Sequence, residues 1–109
     1  MLKKSFRLSN VKGVRGAKTF TSPFLVVKFA ESGDSQTKFA FVVSKAVDKR
    51  AVVRNELKRN LSMATRDCLA ELKEGYNIII ITKSRILGLD KVDQRNILKE
   101  ALVKANLLK

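Results

Sequence analysis

Arg50-Ala51-Val52-Val53-Arg54-Asn55-Glu56-Leu57-Lys58-Arg59-Asn60-Leu61-Ser62 is the stretch around which the chain is organised. It opens a helix predicted over residues 51–72. At about 100° per residue, Val53, Leu57, Leu61, Ala64, Cys68 and Leu72 fall on one apolar stripe. Arg54, Asn55, Lys58, Arg59 and Arg66 occupy the neighbouring arc. One flank of the helix is suited to packing on a sheet, and the adjoining flank offers cations and an amide. Arg54 and Lys58 are one turn apart, as are Asn55 and Arg59, so each pair lies side by side. A guanidinium can take two phosphate oxygens, and a lysine gives a mobile point charge. An ordinary solvated helix face has the same pattern, and spacing alone does not choose between the two.

Upstream of the helix, Lys45, Lys49 and Arg50 make a basic connection. Residues 38–44 read as a strand with Phe39, Phe41 and Val43 on one side. Residues 31–37 are polar and contain Gly33, as expected of a loop between antiparallel strands. Residues 20–30 read as one strand. Phe24, Val26 and Lys28 point one way and Leu25, Val27 and Phe29 the other, with Pro23 confined to the strand's start or to an edge. Residues 1–19 are basic and aperiodic, and Gly13 and Gly16 interrupt any helix. A partly ordered basic arm is expected there, with at most a short helix over residues 8–14.

Downstream, Gly75 is placed to cap the long helix. Residues 76–82, Tyr-Asn-Ile-Ile-Ile-Ile-Thr, are β-branched on both sides, as in a strand covered on both faces. Asp90, with Asp93 three residues on, marks the start of a last helix. Ile97, Leu98, Ala101, Leu102 and Ala105 form that helix's apolar side, and Asn106 is placed to close it. The predicted order is α-β-β-α-β-α in a single domain over residues 1–109. The fold class is a two-layer α/β (α+β) sandwich, a small mixed sheet packed with helices.

Charge narrows the partners. The chain carries 23 Lys and Arg against 10 Asp and Glu, a net +13 in 109 residues. Residues 1–66 hold 15 cations and 4 acids, while residues 67–109 hold 8 and 6. Such a surplus repels itself in a compact fold and favours a polyanion, of which nucleic acid is the first choice. No apolar run approaches the ~20 residues of a membrane span. Met1-Leu2-Lys3-Lys4 is followed by no apolar segment, so no secretory signal and a cytoplasmic location are expected.

Catalysis by the chain itself is poorly supplied. There is no histidine, which removes His-type metal sites and serine or cysteine triads. The single cysteine, Cys68, lies on the apolar stripe and reads as a packed thiol in a reducing compartment. Neither common Gly-rich phosphate loop is present. Glu56, Asp67 and Glu71 lie on the back of the long helix and do not assemble a two-carboxylate metal site. No catalytic residue, metal ligand or organic cofactor is expected in the protein. These features describe a binder or a subunit.

Ser44-Lys45-Ala46-Val47-Asp48-Lys49-Arg50-Ala51-Val52-Val53-Arg54-Asn55, followed by Leu57-Lys58-Arg59, resembles the signature of the bacterial ribonuclease P protein component. The resemblance extends to the flanks and covers roughly residues 5–105. It implies an α/β sandwich whose βαβ crossover through the signature helix is left-handed, where general rules favour the right-handed form. It also implies a protein cofactor for a catalytic RNA that removes the 5′ leader of precursor tRNA. The RNA and its Mg²⁺ ions would carry the hydrolysis, with one protein per RNA. By position, Arg54, Asn55, Lys58 and Arg59 match the RNA-facing signature. Lys45, Lys49 and Arg50 match its basic approach, and Arg66 extends the same arc. Phe20, Phe24 and Phe41 become candidates for the aromatic wall of a leader-binding cleft, with Lys12 and Arg15 at its mouth. Each phenylalanine is equally well read as core packing.

The sequence departs from the family pattern at four places. Glu56 stands where Arg is usual, Ala46 replaces a common Lys, and Asn60 and Ser62 replace common Arg. The N-terminal segment also lacks the usual closely spaced aromatic pair. Two rival readings remain from the residues alone. One is a small basic structural RNA-binding protein of the ribosomal kind; the other is a protein that cuts RNA unaided.

Overall fold

The computed structural model describes residues 18–31 and 36–109. The expected helix over residues 8–14, Lys12, Arg15 and most of the basic arm lie outside them. Four strands form one sheet: β1 (Lys18–Thr21), β2 (Leu25–Glu31), β3 (Lys38–Val42) and β4 (Tyr76–Thr82). Two α-helices accompany it: α1 (Ala51–Asp67) and α2 (Lys91–Lys104). Short 3₁₀ turns at Leu69–Glu71 and Ser84–Gly88 follow α1 and β4.

The sheet order is β1-β2-β4-β3. The run predicted as one strand over residues 20–30 is a hairpin, β1 against β2, with Phe20 opposite Val27. The chain reverses at Ser22-Pro23-Phe24. The Ser22 hydroxyl accepts the backbone N–H of Phe24 and of Leu25, both at 3.2 Å. Proline has no N–H to extend a ladder, so a break falls naturally there. β2 and β3 run in opposite senses, as expected, but they do not pair. β4 inserts between them, antiparallel to β2 and parallel to β3. The connection β3–α1–β4 is thus a crossover between neighbouring parallel strands.

Isoleucines make β4 the centre of the sheet. Ile78 and Ile80 are fully buried on the face that meets the helices, and Ile79, on the other face, is 3% exposed. On the helix side they join Leu25, Val27 and Phe39 from the sheet, Leu57 and Leu61 from α1, and Leu98 and Leu102 from α2. Each such side chain contributes roughly 1.5–3 kcal/mol of burial. The core is therefore contributed by the whole described fold, with α1 and α2 packed against each other as well as on the sheet.

Helix α1 ends sooner than its apolar stripe predicts. It stops at Asp67, and Cys68 is its C-cap. The chain then makes one 3₁₀ turn, and Leu72 becomes extended to bridge Leu108. Lys73 N–H bonds the carbonyl of Leu107 at 2.8 Å, which secures this pairing. Leu72 is still buried, so it reaches the core from a bridge and not from a helix. Gly75 does not cap the helix; it turns the chain into β4 with φ 82°. The start of α2 is as expected, with Asp90 Oδ1 accepting Asp93 N–H at 2.8 Å. Its end is also as expected. Asn106 adopts φ 60°, and the bonds Asn106 N–H to Val103 O and Leu107 N–H to Leu102 O form a Schellman closure.

Candidate nucleic-acid interface

The segment between β3 and α1 brings the basic side chains to one end of the helix. Val47 is buried and anchors it, and Val47 N–H bonds Ser44 O at 3.0 Å. Lys45, Lys49 and Arg50 are exposed around this anchor. No acidic residue lies in the first turn of α1, and its N-cap, Arg50, makes no side-chain cap bond. Among the described residues, the positive end of the helix dipole and the surrounding cations are offset there by the Asp48 carboxylate alone, and the positive excess that is left would be relieved by an approaching phosphate.

Two of the arginines also hold the segment together. Asp48 accepts Arg50 N–H at 2.8 Å, Arg50 Nε at 3.1 Å and Arg50 Nη2 at 3.0 Å. The Arg50 hydrogen bonds hold the Asp48 carboxyl down at about 2 and push the guanidinium's own pKa up. Arg54 Nη1 donates to Asp48 O at 3.0 Å and to Lys49 O at 2.8 Å. One nitrogen of Arg54 is thus spent on shaping the loop, and its remaining donors stay available to a ligand. The part played by Asp48 went unassigned from sequence. An aspartate two residues before the N-cap position of a helix is the local signal for it.

Along α1 the candidate residues divide. Arg54 and Lys58 are half-buried on one edge, while Asn55, Arg59 and Arg66 are exposed on an outer line. Arg66 lies in the last helical turn, about 18 Å from Arg54 at 1.5 Å per residue. There it complements the negative end of the dipole. Lys45, Lys49, Lys58, Arg59 and Arg66 make no ion pair among the described residues.

The departures from the family pattern have structural homes. Asn60 and Ser62 are buried, at 7% and 2% exposure. Asn60 Nδ2 donates to Lys91 O and to Gln94 Oε1, both at 3.0 Å, so it ties α1 to α2. Glu56 is exposed and lines a cleft toward α2, about 160° around the helix from Lys58. It does not oppose Arg54 and Lys58 on their own surface. Ala46 is exposed in the approach segment.

The three candidate phenylalanines are not brought together. Register places Phe20, Val27, Ile80 and Phe41 in one row across the sheet, with Phe20 and Phe41 on opposite edge strands. Three strand spacings separate those ends by about 14 Å. Phe41 stacks on Phe39, with centroids 6.2 Å apart, and belongs to β3, where α1 touches the sheet. Phe24 was expected to share a face with Val26 and Lys28. It lies in the turn before β2, beyond the reach of strand alternation, and faces α2. With Phe20 and Pro23 it lines a cavity of about 160 Å³ against Ile97 and Ala101.

Among the described residues, no three carboxylate, cysteine or histidine side chains come together to hold a metal ion. The Cys68 thiol is buried, its Sγ lies 3.1 Å from the carbonyl oxygen of Ala64, and burial pushes its pKa up, away from the reactive thiolate. No described helix is long and apolar enough to cross a membrane.

Comparison with known proteins joins these observations to a family. The family model described as Ribonuclease P matches residues 2–106. The chain is 33% identical over 106 residues to the ribonuclease P protein component of Pseudanabaena sp. (strain PCC 6903), covering 97% of this chain and 89% of that protein. It is 38% identical over 72 residues to the corresponding protein of Microcystis aeruginosa, covering 66% of this chain and 60% of that one. A solved mutant of the Staphylococcus aureus RNase P protein superposes with a TM-score of 0.89 at 18% identity, over 96% of this chain and 92% of that one. The Thermotoga maritima RNase P protein superposes with a TM-score of 0.74 at 23% identity, over 80% and 84%. These two likenesses concern the fold. The matched family model, which takes in the signature helix and both of its flanks, shows that this chain belongs to the ribonuclease P protein family.

Proposed function

We propose that this chain is the protein subunit of ribonuclease P, binding the catalytic RNA and the 5′ leader of precursor tRNA. Bond cleavage is left to the RNA and its Mg²⁺ ions. The protein supplies cations that screen phosphates where the RNA, the leader and the scissile region converge. One protein acts per RNA, in the cytoplasm. The observation that carries this reading is the basic end of α1. There Lys45 and Lys49 stand unpaired beside a helix start with no acid in its first turn, and Lys58 and Arg59 stand unpaired two turns further along the helix. The family membership supports it and disfavours a ribosomal-type protein.

Neutralising phosphates releases counterions, so affinity falls with salt in proportion to the number of contacts. Contacts to the leader add binding outside the tRNA body. Arg54, Asn55, Lys58 and Arg59 are assigned to the RNA, with Lys45, Lys49 and Arg50 on the approach and Arg66 at the far end. Phe41, on the strand that meets α1, is the phenylalanine best placed to border a cleft between that helix and the sheet. Lys12, Arg15, Phe20 and Phe24 remain leader candidates by resemblance. Reconstitution with the cognate RNA at low Mg²⁺ tests the reading. Precursor cleavage should rise on adding the protein, and no rise sinks the assignment. The protein alone should cut nothing; metal-dependent cleavage without RNA would support a protein nuclease instead.

A further inference from the structure

We propose that the cleft between α1 and α2 is a second phosphate-binding site, in which Arg59, Lys91 and Arg95 receive a phosphodiester of the RNA. This inference rests on the RNA-binding reading above and extends its surface onto a helix that the signature does not include. The cleft measures about 340 Å³ and is lined by Glu56, Arg59, Asn60 and Met63 of α1 with Lys91 and Arg95 of α2. It is a groove open to solvent, so a phosphodiester can approach the side chains that line it.

Three cations from two helices converge there against one carboxylate, and none of the four is ion-paired among the described residues. Like charges gathered without a counterion repel each other, and a phosphate removes that cost. The scaffold beneath them is rigid. Asn60 joins Lys91 O to Gln94 Oε1, and Gln94 Nε2 in turn donates to Ile86 O and Leu89 O, both at 3.1 Å. Asn60 and Gln94 are both more than nine-tenths buried, so this network sets α2 against α1 before any ligand arrives. Lys91 and Arg95 are one turn apart and share a side of α2. The nearby acids are engaged or turned away. Asp90 caps the helix, and Asp93 lies about 160° around it from Lys91. Arg59 belongs both to this cleft and to the outer line of α1, so a phosphate chain following Asn55 and Arg59 continues onto α2. Glu56 faces the same space and weakens the site relative to its three cations alone.

Binding of the full-length chain to its cognate RNA, measured from 50 to 200 mM salt, tests the site. The variants are Lys91→Ala/Arg95→Ala, Arg54→Ala/Lys58→Ala, and a control pair, Lys73→Ala/Lys109→Ala, beside the Leu72–Leu108 bridge. The α2 pair should flatten the salt dependence by about two ions. The affinity lost across that salt range then shrinks roughly tenfold. Glu56→Gln should bind several-fold tighter than wild type. If the α2 pair matches the control while Arg54→Ala/Lys58→Ala is impaired, the cleft site is overturned and the RNA-binding reading stands. An unchanged or weaker affinity for Glu56→Gln overturns the site as drawn. A wild-type chain that binds no RNA overturns the reading itself, and the site with it.

Discussion

The two halves of α1 have different tasks, although one continuous helix contains both. From Ala51 to Arg59 only Leu57 is buried; Ala51, Val52, Asn55, Glu56 and Arg59 are exposed, and Arg54 and Lys58 are half-buried. From Asn60 to Thr65 five of six residues are buried, including the polar Asn60, Ser62 and Thr65. The first half leans out beside the loop that follows β3. The second is clamped between the sheet and α2. A helix anchored at one end can present rigid side chains at the other, so binding need not pay the entropy of ordering them.

The largest expected effect breaks the anchored half. Leu61 is fully buried, and Leu61→Ala should lower stability by about 2–5 kcal/mol, read as a fall in melting temperature and denaturation midpoint. RNA affinity of the protein that remains folded should change little. Next, Asn60→Ala leaves Lys91 O and Gln94 Oε1 without their partner and should cost about 1–3 kcal/mol. Asn60→Ala should also weaken RNA binding if α2 contributes to the interface, whereas Leu61→Ala should not.

The presenting half should respond in the opposite way. Arg54→Ala should flatten the salt dependence of RNA binding by about one ion and also cost about 1 kcal/mol of stability, because Arg54 secures the carbonyls of Asp48 and Lys49. Lys58→Ala should give the same change of slope with stability within about 0.5 kcal/mol of wild type. If neither slope changes, the proposed surface is wrong. The smallest effect concerns pH. Asp48 titrates lower in the folded chain, at about 2, than its ordinary 3.8. Its contribution is therefore complete above pH 3.8 and is lost as pH falls toward 2. Carbon-detected NMR of the Asp48 carboxyl should show a midpoint near 2 in the wild type, moving up toward 3.8 in Arg50→Ala.

Much of the molecule was legible because local rules act over a few residues. The apolar stripe of α1, the isoleucine run of β4, the Asp90 cap and the Asn106 closure each follow from spacing or from one residue's conformational preference. The exposed positions of Asn55, Arg59 and Arg66 also follow from periodicity. Phe24 and Leu72 were misplaced for a common reason. Each sits just outside an element, where other contacts replace the periodic pattern: the Ser22 hydroxyl on the N–H of Phe24, and Leu108 beside Leu72.

By itself, then, the sequence determined the composition of the faces: which residues are apolar at helical or strand period, where the charge accumulates, and that no histidine is available for chemistry. Only the tertiary structure decided how those faces meet. The insertion of β4 between β2 and β3, the separation of Phe20 from Phe41, the burial of Asn60 and Ser62, and the meeting of Arg59 with Lys91 and Arg95 all depend on pairings between residues far apart in the chain. Spacing along one segment records its own periodicity, but the free energy that selects a partner segment is shared between both and is written in neither alone.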